Sequence, residues 1–138
     1  SRIYIESKFI VKTGNRENMG LEESIFRNEI NKVKDLLAKN TDINKPDVYG
    51  LTPLMIASYA NNSDIVDELI KQGADLNAQD KNGCTPLMYA IFGKSHRTME
   101  LLIKKGADLK KKSGSGWVAW MFVSDTRLRQ RFIKAAGL

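Results

Sequence analysis

The chain of 138 residues holds one cysteine, Cys84, and one histidine, His96. A thiol becomes a nucleophile when a base or a cation beside it favours the thiolate. No His or Lys pairing of that kind lies near Cys84 in sequence, and His96 is expected on the surface at a helix start. Metal centres are built from clusters of Cys, His and carboxylates, so no metal, cofactor or catalytic residue is expected. Ser113-Gly114-Ser115-Gly116 could suggest a phosphate loop, but the Gly-Lys-Ser/Thr ending that would grip the phosphates is missing. Trp117, Trp120 and Phe132 lie among basic residues, a composition that suits base stacking. Trp120 and Phe132, however, fall on apolar core positions, and only Trp117 is expected to be exposed. Nucleic acid is therefore not an expected partner.

The chemistry that remains is recognition. Phe26, Tyr59 and Phe92 are equally spaced along the chain, and aromatic side chains are enriched at the centres of protein interfaces. If the intervening chain repeats at the same interval, these three rings share one structural slot.

The chain does repeat. Val48-Tyr49-Gly50-Leu51-Thr52-Pro53-Leu54-Met55-Ile56-Ala57 returns at that interval as Lys81-Asn82-Gly83-Cys84-Thr85-Pro86-Leu87-Met88-Tyr89-Ala90, and Gly73-Ala74-Asp75-Leu76-Asn77 returns as Gly106-Ala107-Asp108-Leu109-Lys110. A fixed period of this length, about 33 residues, marks a solenoid of stacked units. Sliding the frame back by one period from Leu54, Val66, Leu69 and Ile70 lands on Leu21, Val33, Leu36 and Leu37. Pro53 and Pro86 each follow a Thr able to cap a helix, at the first position where a helix tolerates proline. A short first helix is predicted to end near Ala60 and again near Gly93. A second runs over about residues 63–72 with Ile65, Val66, Leu69 and Ile70 on one face, with a counterpart over about 97–105. Gly73 and Gly106 supply the left-handed residue that closes these helices.

Asp47-x-x-Gly50-x-Thr52-Pro53-Leu54-x-x-Ala57, followed by Ile65-Val66-x-x-Leu69-Ile70-x-x-Gly73-Ala74-Asp75-x-Asn77, resembles the ankyrin repeat. The resemblance implies an all-α solenoid of about four helix-turn-helix repeats with short hairpin tips, the last repeat shortened. The repeats fall at about 17–46, 47–79, 80–112 and 113–138, preceded by an N-terminal extension, 1–16, whose β-prone Ile3-Tyr4-Ile5 and Phe9-Ile10-Val11 are expected to pack against the first repeat. Met55 and Met88 stand where the family has His, which implies greater reliance on apolar packing. Repeat one lacks the Thr-Pro pair. Repeat four has Trp117-Val118-Ala119-Trp120-Met121-Phe122 in place of its first helix, then an early second helix with Leu128, Phe132, Ile133 and Ala136 on one face, Ser124 or Asp125 as N-cap and Gly137 as stop. Lys and Asn richness together with Thr-Pro-Leu-Met is similar to bacterial members of the family.

The resemblance also implies a protein-binding surface on the concave side, made of the hairpin tips and the far ends of the first helices. On this chain that surface comprises Phe26, Tyr49, Leu51, Tyr59, Lys81, Phe92 and Trp117. The aromatic slot is expected to face solvent, so that truncating Tyr59 or Phe92 would leave folding untouched. The implied function is non-catalytic recognition of a folded protein, an enzyme in the sharper version, which the chain would inhibit in the manner of an immunity protein. Two alternatives are a targeting or scaffold module of a larger protein, and electrostatic binding of an acidic polymer or membrane. No small-molecule substrate is expected, and the free chain is expected to be a monomer.

Charge and composition bear on the alternatives. Residues 1–93 carry 11 basic and 13 acidic side chains, whereas residues 94–138 carry 11 and 3, a net of +8. A charged end can steer partners, yet it is also what a solvated solenoid cap requires. Hydrophobic content of 42% suffices for a packed core, and no apolar run approaches the length that spans a bilayer, so a membrane is not an expected partner. The lone thiol fits a reducing, cytoplasmic setting and equally a secreted chain that uses no disulfides, while a signal peptide ahead of Ser1 would place the chain in a bacterial periplasm.

Overall fold

The computed structural model describes residues 20–39 and 42–138; the N-terminal extension and its expected packing lie outside them. Seven α-helices and no strand occur among the described residues. They are α1 (Leu21–Phe26), α2 (Ile30–Ala38), α3 (Pro53–Tyr59), α4 (Ser63–Lys71), α5 (Pro86–Phe92), α6 (His96–Lys104) and, after a 3-10 turn at Ala119–Phe122, α7 (Thr126–Ala135).

Each regular pair forms for reasons local to the sequence. Thr52 and Thr85 cap α3 and α5, their Oγ1 atoms accepting from the backbone N of Met55 at 3.4 Å and of Met88 at 3.3 Å. Met55 and Met88 close the cap from the other side, each Sδ accepting from the Thr N at 3.4 and 3.5 Å. A thioether is a weak acceptor, so the substituted methionines add a soft closure to the cap while being wholly buried themselves. Asn28, Asn61 and Lys94 occupy equivalent positions and turn the chain between the helices of a pair, with φ of 59°, 59° and 55°. Asn tolerates this region readily, Lys less so.

The pairs stack in two layers. The inner helix α3 packs between α1 and α5, and the outer helix α4 packs between α2 and α6. Leu54, Ile56, Leu69, Leu87 and Leu102 fill the space between them and are essentially inaccessible. Side-chain amides stitch one loop to the next: Asn44 Oδ1 accepts from Asp75 N and Asn77 Oδ1 from Asp108 N, both at 2.8 Å. Asn62 Nδ2 donates to the Ile25 carbonyl across repeats.

The fourth pair departs from the rest. Its inner helix is reduced to the 3-10 turn, which packs on α5. Asp125 caps α7 by accepting from Leu128 N at 2.7 Å. The outer helices α4 and α6 begin one period apart, at Ser63 and His96. The next step of that period falls on Arg129, yet α7 has already begun at Thr126. As a result α7 packs on the 3-10 turn and does not nest on α6 as α6 nests on α4.

Candidate protein-binding surface

Three hairpin tips are built to one plan. Asp47 Oδ1 accepts from the backbone N of Tyr49 and of Leu51, both at 2.9 Å. Asp80 Oδ1 accepts in the same way from Asn82 and Cys84. Ser113, the next residue in the series, accepts from Trp117 N through Oγ at 3.3 Å. Such Asx-type turns fix the backbone through a short acceptor on the first residue. The glycine inside each tip is required: Gly50, Gly83 and Gly116 have φ of +82°, +77° and +83°, where a Cβ is strained. The tips are bonded to each other as well. Lys81 N donates to Tyr49 O at 3.0 Å, and Gly114 N donates to Asn82 O at 2.8 Å. The row of tips is thus a rigid rim rather than three independent loops.

Under the middle tip, Tyr89 Oη donates to Asp80 Oδ2. Burial, then the bond and the charge of Asp80, push the Tyr89 hydroxyl far above its usual range, so it stays protonated and donating. This internal pin is not legible from spacing, because Tyr89 occupies a slot held by Ile56 one repeat earlier.

Cys84 lies half-buried beside the same carboxylate. Burial and then the Asp80 charge push its thiol up to about 11. Only the thiolate reacts, so Cys84 is expected to react with iodoacetamide at pH 8 at least about tenfold more slowly than an unstructured cysteine peptide. The rate should reach the peptide's value in denaturant. A native rate equal to the peptide's would contradict the environment described.

The seven candidate residues divide three ways. Tyr49, Lys81 and Trp117 are exposed on the tips, the two aromatics at 51% and 48%. Phe26 and Phe92 are half-buried at the ends of α1 and α5. Leu51 and Tyr59 do not belong to the surface. Leu51 is wholly buried: the Asp47 turn holds it by both backbone groups, its N donating to Oδ1 and its O accepting from Asp47 N, and the side chain joins the core. Tyr59 is 9% exposed. The ends of α3 and α5 close so tightly that a Cβ on Gly93 would stand 2.1 Å from the Tyr59 carbonyl oxygen. A ring at that point meets a neighbouring helix end instead of solvent. The expectation that truncating Tyr59 leaves folding untouched is therefore corrected.

The expected column of three equivalent rings is also replaced, at its C-terminal end, by a different alignment. Phe92 meets Tyr89 edge-on at 5.7 Å and Phe122 edge-on at 5.0 Å, and Phe122 lies against Trp117 at 5.3 Å. A continuous aromatic run therefore leads from the buried Tyr89 out to the exposed Trp117. Sequence reasoning misses Phe122 as a member of this site. Its signal, the Trp117–Phe122 apolar stretch, reads in sequence only as a stand-in for the absent first helix. Val48, 71% exposed, and Met121, 39% exposed, are further large apolar side chains on the accessible surface.

A family model for ankyrin repeats (3 copies) matches residues 21–113. The chain belongs to the ankyrin-repeat family. The matched span contains the three regular helix pairs, and the irregular fourth pair follows it. No curated protein sequence matches the chain. Ankyrin repeats are protein–protein interaction modules, and the family is typically non-catalytic. Among the described residues no group of three or more His, Cys, Asp or Glu is placed to hold a metal ion, and no helix is long and apolar enough to cross a membrane.

Proposed function

We propose that this ankyrin domain recognises a folded partner protein through its hairpin tips and the adjoining aromatic run, and that the partner is an enzyme whose active-site region the surface covers. The observation that carries the reading is the pair Tyr49 and Trp117. Both are half-exposed aromatics on tips joined by backbone hydrogen bonds, with the exposed Lys81 on the tip between them. Rigid aromatic anchors bind at low entropic cost, and Trp and Tyr dominate interface energetics. Phe92 and Phe122 support Trp117 from behind, so the anchor is held before the partner arrives.

The test begins with affinity capture of a partner and its identification by mass spectrometry, followed by titration of that purified partner. Tyr49→Ala and Trp117→Ala are each expected to cost about 2 kcal/mol or more of binding, roughly thirty-fold in affinity. Melting temperatures should fall far less than after a core truncation, because both side chains are half in solvent. The captured enzyme should lose activity as the ankyrin chain is titrated to equivalence. Binding without inhibition would favour a targeting or scaffold role. If both aromatic variants bind like the parent while Lys111→Glu with Lys112→Glu abolishes binding, the tips are not the site and the basic end is.

A further inference from the structure

The charges on the hairpin tips are sorted by sign. Over residues 45–51, 78–84 and 111–117 the acidic side chains are Asp47 and Asp80, and the basic ones are Lys45, Lys81, Lys111 and Lys112. The carboxylates are turned to internal work. Asp80 is 8% exposed, with Oδ1 taken by two backbone N–H groups and Oδ2 by the Tyr89 hydroxyl. Asp47 is half-buried, and its Oδ1 likewise holds two N–H groups. A carboxylate saturated by donors of its own chain has little left to offer a partner. The third tip carries no carboxylate, since Ser113 makes the turn there.

The lysines are turned the other way. Lys45, Lys81 and Lys112 are exposed, and none of them makes an ion pair among the described residues. The inner helices do not offset this charge. Neither α3 nor α5 contains a charged residue. On α1 the acids are Glu22 and Glu23, and Glu23 is paired with Arg27. The exposed carboxylates nearest the tips in sequence, Asp42, Asp75 and Asp108, stand five residues before each turn, where each accepts from the backbone N two residues on.

We infer that the face of the partner protein which meets the tips is acidic, with carboxylates set around an apolar patch that receives Tyr49 and Trp117. This rests on the tip-binding reading above and adds the chemistry of the partner to it. Both anchors stand among unpaired ammonium groups. Lys45 precedes the first turn, Lys81 is bonded through its N to the Tyr49 carbonyl, and Lys112 precedes the turn that ends at Trp117. A neutral or basic face laid over the anchors would strip water from these cations without a counter-charge, which is costly. An acidic face supplies that charge and also speeds the encounter. A single-stranded nucleic acid is the poorer match, because its successive bases stack on neighbouring aromatic side chains. Here Tyr49 and Trp117 stand on the first and third tips, with Lys81 and Asn82 between them.

The test has two arms. In the first, a poly-glutamate peptide is titrated into the isotope-labelled full chain at low salt. Amide shifts are expected at residues 45–49, 81–83 and 111–117. Lys45→Glu with Lys81→Glu should abolish those at the first two tips, and Arg127→Glu with Lys134→Glu, on α7, should leave them in place. All four side chains are exposed, so the circular dichroism spectrum should not change. Shifts confined to α7, no shifts, or tighter binding of a single-stranded RNA of the same charge at the tips would overturn the inference. In the second arm the purified partner is used. Lys45→Glu with Lys81→Glu should slow association by at least about tenfold and change dissociation by less than about threefold. Raising NaCl from about 0.05 to 0.5 M should slow association of the parent by a similar factor and affect the variant far less. Partner binding that is weakened by Tyr49→Ala and Trp117→Ala but indifferent to salt and to the lysine reversals would overturn the acidic face and leave the tip reading intact. Binding indifferent to the aromatic variants would overturn both.

Discussion

Leu69→Ala and Leu102→Ala are each expected to destabilise the fold by about 2–5 kcal/mol. Both side chains are wholly buried, on α4 and α6 respectively, where each outer helix meets its inner partner and the neighbouring repeat. Truncation removes the transfer free energy of the lost methyl groups and leaves a cavity that rigid helices close only in part. In urea the midpoint should fall by about 1–2 M for a domain of this size. The two variants should differ in where they open. A repeat touches only its neighbours, so Leu102→Ala is expected to expose the amides of the third and fourth pairs to hydrogen exchange before those of the second. Leu69→Ala should loosen the first and second pairs instead. A cost below about 0.5 kcal/mol for either would mean that the helix faces are misassigned.

Gly93→Ala is expected to cost about 2 kcal/mol or more, which reverses the usual sign of that substitution. With φ −84° and ψ 0°, position 93 lies where alanine is at ease, and replacing glycine there should by itself stabilise by about 0.4–1 kcal/mol through the unfolded chain. The space forbids it. The new Cβ would stand 2.1 Å from the Tyr59 carbonyl oxygen and 2.9 Å from its carbon, and neither backbone atom can swing aside as a side chain would. The ends of α3 and α5 would have to separate. Phe92 is the neighbour of Gly93 and packs edge-on against Phe122, so the displacement should also reach Trp117 and weaken partner binding. The converse change one repeat earlier, Ala60→Gly, should cost only the backbone-entropy difference of about 0.4–1 kcal/mol. Thermal melts of the two variants settle the matter, and a neutral or stabilised Gly93→Ala protein would show that the helix ends do not meet so closely.

The tips are a product of regularity: the same turn is made three times, twice by Asp and once by Ser.

The period, the Thr-Pro helix starts, the glycine closures and a last-helix cap at Ser124 or Asp125 were all legible in the chain, and each reappears in the structure within a residue or two, the cap as Asp125. These are local devices: each depends on a few adjacent residues and on backbone geometry that any copy of the repeat reproduces. The family was legible too, since the quoted motifs lie within the matched residues 21–113. The environment of equivalent slots was not, and it was settled by tertiary packing. A period treats all copies of a position as the same, yet Leu51, Cys84 and Trp117, one slot in three repeats, are wholly buried, half-buried and half-exposed. Leu51 has packed repeats on both sides, whereas Trp117 belongs to the last repeat and has a neighbour on one side only. Tyr59 and Phe92 diverge for a related reason, since the distance between successive inner helices is set by whichever residue stands at their closest approach, and at Tyr59 that residue is a glycine. Burial is a property of the gap between repeats, and no residue type within a single repeat encodes the width of that gap.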